Sequence, residues 1–399
     1  YLGKQLIGPK AAWIATLLYS FSAVVITYTR FSWNPNPAPF VSLIMIYATY
    51  RAWKDRPWYW VLVGLCFSIL VQLHYLTLLS AGGAGLIWII SAVQSWRSTQ
   101  RWRSLRDQIL PTVAAVLIFL VSLTPLILFD LRHDGLNAKA FFNLSDAEQS
   151  FKYTDDSSLL KTISSTIREA EGRSYHILFE YNLGKDRTRN GILLLVVVLS
   201  MIYILTQKKR KFYQGEVVIT AYLVTGIIGT AMYEHAIFDH YLAYLFPVTF
   251  MLFGILLGLL ASNQAGKLLT FAAILYFLQY NLPRLPHSDA GWKLQDIKAT
   301  SASIAERLSN DEQYSLVLLA PSKDLYGQNY RYYLTTLNTP PLPPERANEA
   351  TTLVVINEDH TEDVASLPIY EIVTFPDKIV NQVYTIENGP EIIIYKRSE

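Results

Sequence analysis

Nine apolar stretches punctuate the first 283 of 399 residues, at roughly 11–29, 38–53, 57–73, 76–93, 109–129, 191–206, 216–233, 241–261 and 267–282. A bilayer core takes about 20 apolar residues in helix, so each stretch reads as a membrane span, two of them short. The run 57–95 contains no Lys, Arg, Asp or Glu and is too long for one crossing. It predicts a hairpin turning near His74-Tyr75, with Gly82, Gly83 and Gly85 letting the return helix pack closely, or else a re-entrant loop, which would change the count.

Charge sets the expected sidedness. Alternate connections collect fourteen Lys and Arg, from Lys4 and Lys10 through Lys208–Lys211 to Lys267, whereas the opposite short connections hold only Arg30. The basic side is then cytoplasmic. An odd number of spans places the start of the chain inside and its tail outside, in a plasma membrane. All seven histidines fall on the outer side in this scheme, which makes ATP or nucleotide-sugar chemistry unexpected there. Residues 284–399 hold ten Lys and Arg against seventeen acids, so a net +9 before residue 284 becomes −7 after it.

The tail also changes pattern. Lys293–Leu308 and Asp324–Leu337 read as helices. Ser315–Ala320, Thr352–Ile356, Ile369–Thr374, Val380–Ile386 and Glu391–Tyr395 read as strands. Alternation of this kind predicts a small α/β domain. The expected fold is an α-helical polytopic membrane protein with about nine transmembrane helices (residues 1–283, with an outer loop at 130–190). A soluble C-terminal α/β domain (284–399) follows. Within the loop, Leu160, Ile163 and Ile167 recur at helical spacing and predict an amphipathic helix. A single cysteine, Cys66, excludes disulfide and zinc-finger scaffolds. Tyr326-Gly327-Gln328 is no phosphate loop, and short basic clusters at span ends give no support to nucleic-acid binding.

Four polar clusters sit at span ends. Tyr28–Pro39 holds Arg30 and Asn34 between aromatics and prolines; its arginine either binds a lipid phosphate or snorkels to the interface. Gln72-Leu-His74-Tyr75 offers a histidine that is a hydrogen-bonded structural residue, a ligand or a base. Phe129–Asp134 carries Asp130 and Arg132, which either pair with each other or line a headgroup pocket. Tyr233–Tyr241 gathers Glu234, His235, Asp239, His240 and Tyr241. If helical, His235 and Asp239 share a face. The set can serve general-base catalysis, hold a divalent cation through mixed N/O ligands, or wall a substrate site.

The order of these pieces resembles the GT-C class of membrane glycosyltransferases, specifically bacterial relatives of the dolichyl-phosphate-mannose–protein mannosyltransferases and the RgtA/B/C/D-like branch. The resemblance is carried by Gly8-Pro-Lys-Ala-Ala-Trp13, Tyr28-Thr-Arg-Phe-Ser-Trp-Asn-Pro-Asn-Pro37, Leu73-His-Tyr-Leu-Thr77 and Phe238-Asp-His-Tyr-Leu-Ala-Tyr-Leu-Phe-Pro247, and covers roughly residues 1–283. It implies transfer of a sugar, with inversion, from a polyprenyl-phosphate donor to a glycan, lipid or protein acceptor at the outer face. Asp239, His240 and Glu234 are then expected at the chemistry. Arg30, Asn34, His74, Tyr75, Asp130, Arg132, His235 and Tyr241 are expected at the substrates. No metal ligand is assigned. The family's principal acid in a first outer loop has no counterpart before Arg30, which predicts a further segment ahead of Tyr1.

Two other classes use similar residues. A transporter or lipid flippase for envelope glycans predicts ionisable groups near span midpoints, whereas here they gather at span ends. A scaffold recognising wall polymers predicts a tail that binds by itself.

Overall fold

A computed structural model describes residues 1–30, 33–98, 101–142, 164, 168, 172, 178, 187–231, 239–286, 293–309, 312–320, 325–387 and 389–397. The chain divides into two compact units, Tyr1–Pro286 and His287–Glu399. The first is helical; the second carries a four-stranded sheet.

In the first unit, α1 (Leu2–Ile7), α2 (Pro9–Ser20) and α3 (Ala23–Thr29) lead to α4 (Ala38–Lys54). The expected span 11–29 is broken: α2 and α3 meet at 63°. Ser22 caps α3 by accepting from the Val25 amide at 3.4 Å. The buried Asn281 side chain accepts from the Ala23 amide at 2.9 Å and donates to the Phe277 carbonyl at 3.0 Å. A break in a buried helix leaves backbone donors without partners, and these two side chains satisfy them. Pro35 and Pro37 hold the next turn, and α4 starts with proline in its first turn.

The hairpin at His74 forms. Helix α5 (Tyr59–Leu73) stops there because His74 is extended (φ −163°, ψ 135°), and a 3-10 turn (Tyr75–Leu79) leads into α6 (Ser80–Trp96). A Cβ on Gly83 would lie 2.7 Å from the Tyr222 Cα, so this glycine permits the closest approach of the return helix; Gly85 faces open space. Next come α7 (Arg101–Ser122), α8 (Thr124–Arg132), α9 (Leu136–Phe142), α10 (Arg187–Thr206), α11 (Tyr213–Ala231), α12 (Phe246–Leu260) and α13 (Gln264–Asn281).

Among the described residues, four helical segments are long and apolar enough to cross a membrane: Tyr75–Trp96, Trp102–Ser122, Tyr213–Ala231 and His240–Leu260. Counting the bent pair makes five. The expected nine are not reached, for local reasons. α4 has 17 residues and α5 only 15. The stretch 191–206 is represented among the described residues by a shorter apolar helix, Leu194–Thr206. α13 carries Lys267, Thr270 and Gln279. The crossing segments differ in surroundings: 72% of the windows in Tyr213–Ala231 and His240–Leu260 is buried, against 17% in Trp102–Ser122. α11 and α12 are therefore central, while α7 exposes Val113, Val116, Leu117, Leu120 and Val121 as a lipid-facing side would. Leu160, Ile163 and Ile167, which predict the amphipathic helix, lie outside the described residues.

In the second unit, α14 (Leu294–Ala305), β1 (Tyr314–Leu319), α15 (Gln328–Thr336), β2 (Thr352–Asn357), α16 (Tyr370–Thr374), β3 (Lys378–Thr385) and β4 (Glu391–Arg397) follow in order. The sheet runs β1-β2-β4-β3, with β1 and β2 parallel from Tyr314↔Thr352 to Leu319↔Asn357 and the other pairs antiparallel. Side chains alternate along a strand. Leu316 and Leu318 thus join Ile304, Tyr330 and Leu334 on one face, while Val317 and Leu319 join Ile372, Phe375 and Tyr395 on the other. Burial on both faces explains why β1 and β2 read as continuous apolar runs. The expected strand at Ile369–Thr374 is instead the one-turn helix α16. Six residues cannot separate a period of 2 from one of 3.6, and tertiary packing of Ile372 decides the outcome.

Glu312 ties this sheet together at one edge. It accepts from the Thr352 hydroxyl and, at 3.1 Å, from the Ser309 amide, and it pairs with Lys396 at 3.3 Å. Burial raises its carboxyl, but these partners outweigh that and hold it below the ordinary value. A carboxyl lowered in the fold adds stability above its unfolded pKa of about 4.3, and that stability disappears as pH falls through the folded value. Glu312→Gln is therefore expected to flatten the acid limb of sheet unfolding, followed by circular dichroism between neutral and acid pH. An unchanged acid limb would discard the contribution.

Candidate functional site

Three of the four sequence clusters meet in the membrane unit. Tyr28 comes from the last turn of α3 and Trp33 from the proline-rich turn after it. His74 and Tyr75 come from the end of α5, and His240 and Tyr241 from the 3-10 turn (Asp239–Leu245) that opens α12. His240 is the hub: its ring centroid lies 4.3 Å from Trp33, 4.5 Å from Tyr241, 5.7 Å from His74 and 5.9 Å from Tyr28. His74 lies 4.6 Å from Tyr75 and 4.5 Å from Tyr241. His240 is buried, whereas Trp33 is 45% exposed, so the cluster has a covered floor and an open edge.

His74 has a structural duty as well. Its Nδ1 accepts from the Leu76 amide at 3.2 Å, capping the 3-10 turn, and its carbonyl accepts from the Thr77 hydroxyl at 2.7 Å. An accepting Nδ1 leaves the neutral ring's proton on Nε2, a donor. Burial holds its pKa below that of an ordinary histidine, which keeps the ring neutral at pH 7.

The remaining candidates are distributed differently. The exposed Arg30 guanidinium donates through Nη1 to the Pro286 carbonyl, so its place is set by the end of the unit. Asn34 is exposed on the turn beside Trp33. Asp130 and Arg132 do not pair with each other or join the cluster among the described residues. Asp130 instead accepts from the Asn137 and Ala138 amides, both at 2.8 Å, and caps α9. A carboxylate at a helix N-terminus satisfies otherwise orphaned donors, and this local demand takes the side chain. Asp239 opens the 3-10 turn; Glu234 and His235 lie outside the described residues. Tyr28 and Trp33 were not among the site residues expected from sequence, although aromatic interleaving around Arg30 was their signal. No group of three or more His, Cys, Asp or Glu among the described residues can hold a metal ion.

The same unit holds an apolar groove of about 380 Å³, lined by residues of α1 and α2 with Phe40, Leu43, Pro247 and Phe250. Phe40 and Pro247 lie in the first turns of α4 and α12, the helices whose preceding residues supply Trp33 and His240-Tyr241.

The sequence matches no protein-family profile and no curated protein. Among solved structures it is similar to arabinofuranosyltransferase AftD from Mycobacteria, determined by single-particle cryo-electron microscopy. Identity is 14% and the TM-score is 0.44, over 99% of this chain and 32% of that one. The chain thus spans about a third of that structure's length. A likeness this loose carries no functional argument, and the assignment rests on the site itself.

Proposed function

We propose that the membrane unit is a glycosyltransferase that moves a sugar from a polyprenyl-phosphate donor to a glycan, lipid or protein acceptor, with inversion. The observation that carries this reading is the convergence of His74, His240 and four aromatic rings from three distant segments, in a unit that also holds an apolar groove. Aromatic faces stack on the apolar face of a sugar ring, and the groove suits a prenyl chain. In the reaction, an acceptor oxygen bonds to the anomeric carbon as the bond from that carbon to the phosphate oxygen breaks, its electron pair leaving with the phosphate. The acceptor's proton passes to the Asp239 or Glu234 carboxylate, directly or through the imidazole of His240 beside the sugar. Arg30 and the Nε2–H of His74 meet the charge that grows on the phosphate. His235, Asn34 and Tyr241 complete the acceptor side. The divalent-cation alternative would draw on the same Glu234, His235 and Asp239.

Arg30→Ala tests the phosphate role. A charge-assisted hydrogen bond contributes about 1.5–3 kcal/mol, so donor affinity should fall about 10- to 100-fold. Binding of a polyprenyl-phosphate sugar to protein in liposomes measures it, and unchanged affinity removes Arg30 from the site.

A further inference from the structure

The C-terminal unit contains a cavity of about 470 Å³ whose walls include Leu325, Tyr326, Glu345, Ile369, Tyr370 and Glu371. Its frame is rigid. The Leu325 carbonyl accepts from the Leu318 amide at 3.0 Å, pinning this segment to the edge of β1. Arg331 donates to the carbonyls of Tyr326, Leu342 and Leu316 at 2.7, 2.7 and 3.0 Å. Tyr326 and Tyr370 stay half exposed, at 48% and 58%.

Glu371 is the unexplained residue. It is only 5% exposed, lines the cavity, and makes no hydrogen bond or ion pair among the described residues. The basic groups nearest in sequence are engaged elsewhere. Arg346 pairs with Glu349, and Lys378 donates to the Ile372 and Phe375 carbonyls. Lining the cavity with no partner from the described residues, its carboxylate is open to an opposite charge supplied from outside the chain. The described walls define that partner: two carboxylates, two tyrosine rings, apolar sides and, among the described residues, no basic lining residue. This chemistry suits a cation with an organic body, its charge on the carboxylates and its N–CH groups against the rings.

We propose that this cavity is a second binding site, for an organic ammonium ion such as an amino sugar or an alkylamine. It stands apart from the reaction proposed for the membrane unit. The test is calorimetric titration of the full protein in detergent, at mildly acid pH, with glucosamine, choline and uncharged N-acetylglucosamine. Glucosamine or choline should bind and N-acetylglucosamine should not; the tighter of the two identifies an amino-sugar or an alkylammonium source. Glu371→Gln should weaken binding by about tenfold or more without lowering thermal stability, since the carboxylate makes no hydrogen bond or ion pair among the described residues that the substitution would break. Tyr370→Ala, at an exposed ring, should weaken it too. The proposal is overturned if N-acetylglucosamine binds as well as glucosamine, if no ammonium probe binds, or if both variants bind unchanged. Calcium chloride competing as well as choline would also overturn it, by reducing the site to a bare acidic patch.

Discussion

Replacing His240 with alanine is expected to lower sugar transfer by about 10²- to 10⁴-fold, the range general acid–base groups contribute. His240 touches every part of the cluster: Trp33 at 4.3 Å, Tyr241 at 4.5 Å, His74 at 5.7 Å and Tyr28 at 5.9 Å between ring centroids. Removing its imidazole takes away the surface on which Trp33 and Tyr28 rest and, in the reaction proposed above, a proton-handling group beside the sugar. His74→Ala should cost less, because in the proposed reaction Arg30 shares with His74 the charge on the phosphate. The double variant discriminates further. Residues acting as a unit show losses far from additive, so His74→Ala/His240→Ala should lose much less than the product of the single losses. The measurement is release of polyprenyl phosphate from a supplied polyprenyl-phosphate sugar, with helical content followed in parallel. Full activity in a folded His240→Ala protein would end the assignment of this cluster as the reaction site.

The second large effect concerns packing. A Cβ on Gly254 of α12 would overlap the Ala11 carbonyl oxygen of α2 and lie 2.8 Å from the Ala15 Cβ. Gly254→Val must push the two helices apart, and overpacking of this kind costs about 1–3 kcal/mol or more. The same change should also slow transfer. α2 leads through the Ser22 break to Tyr28, and α12 continues directly from His240, so separating them moves two walls of the cluster. A misplacement of about 1 Å can cost about 10²-fold in rate. Gly85→Val is the matched control, since a Cβ there meets nothing within 4 Å. Thermal unfolding in detergent and the transfer assay read both variants. If Gly254→Val melts with Gly85→Val, the close α2–α12 contact is not what holds the unit together.

Helix by helix, legibility followed the strength of the local signal. The uncharged run 57–95 announced two helices and a reversal, and the reversal sits at His74. The span at 11–29 looked continuous because Phe21 and Ser22 are as compatible with a helix as with a break. What stabilises the break is Asn281, about 260 residues away. Asp130 looked like a pocket residue because Arg132, His133 and Asp134 follow it at the end of an apolar stretch. The start of α9, six residues on, supplied the amides that took its carboxylate.

Apolar run length and the placement of Lys, Arg and acids were enough to divide the chain into helical, lipid-suited and α/β parts, and to mark helix ends rich in histidine and tyrosine. Hydrophobic periodicity defines one helix at a time, and so it carries no information about which ends will be neighbours. The meeting of Trp33, His74 and His240 arose from contacts between helices far apart along the chain. Gly83 against Tyr222 and Gly254 against Ala11 show the shape complementarity that sets such contacts and that a linear pattern does not encode.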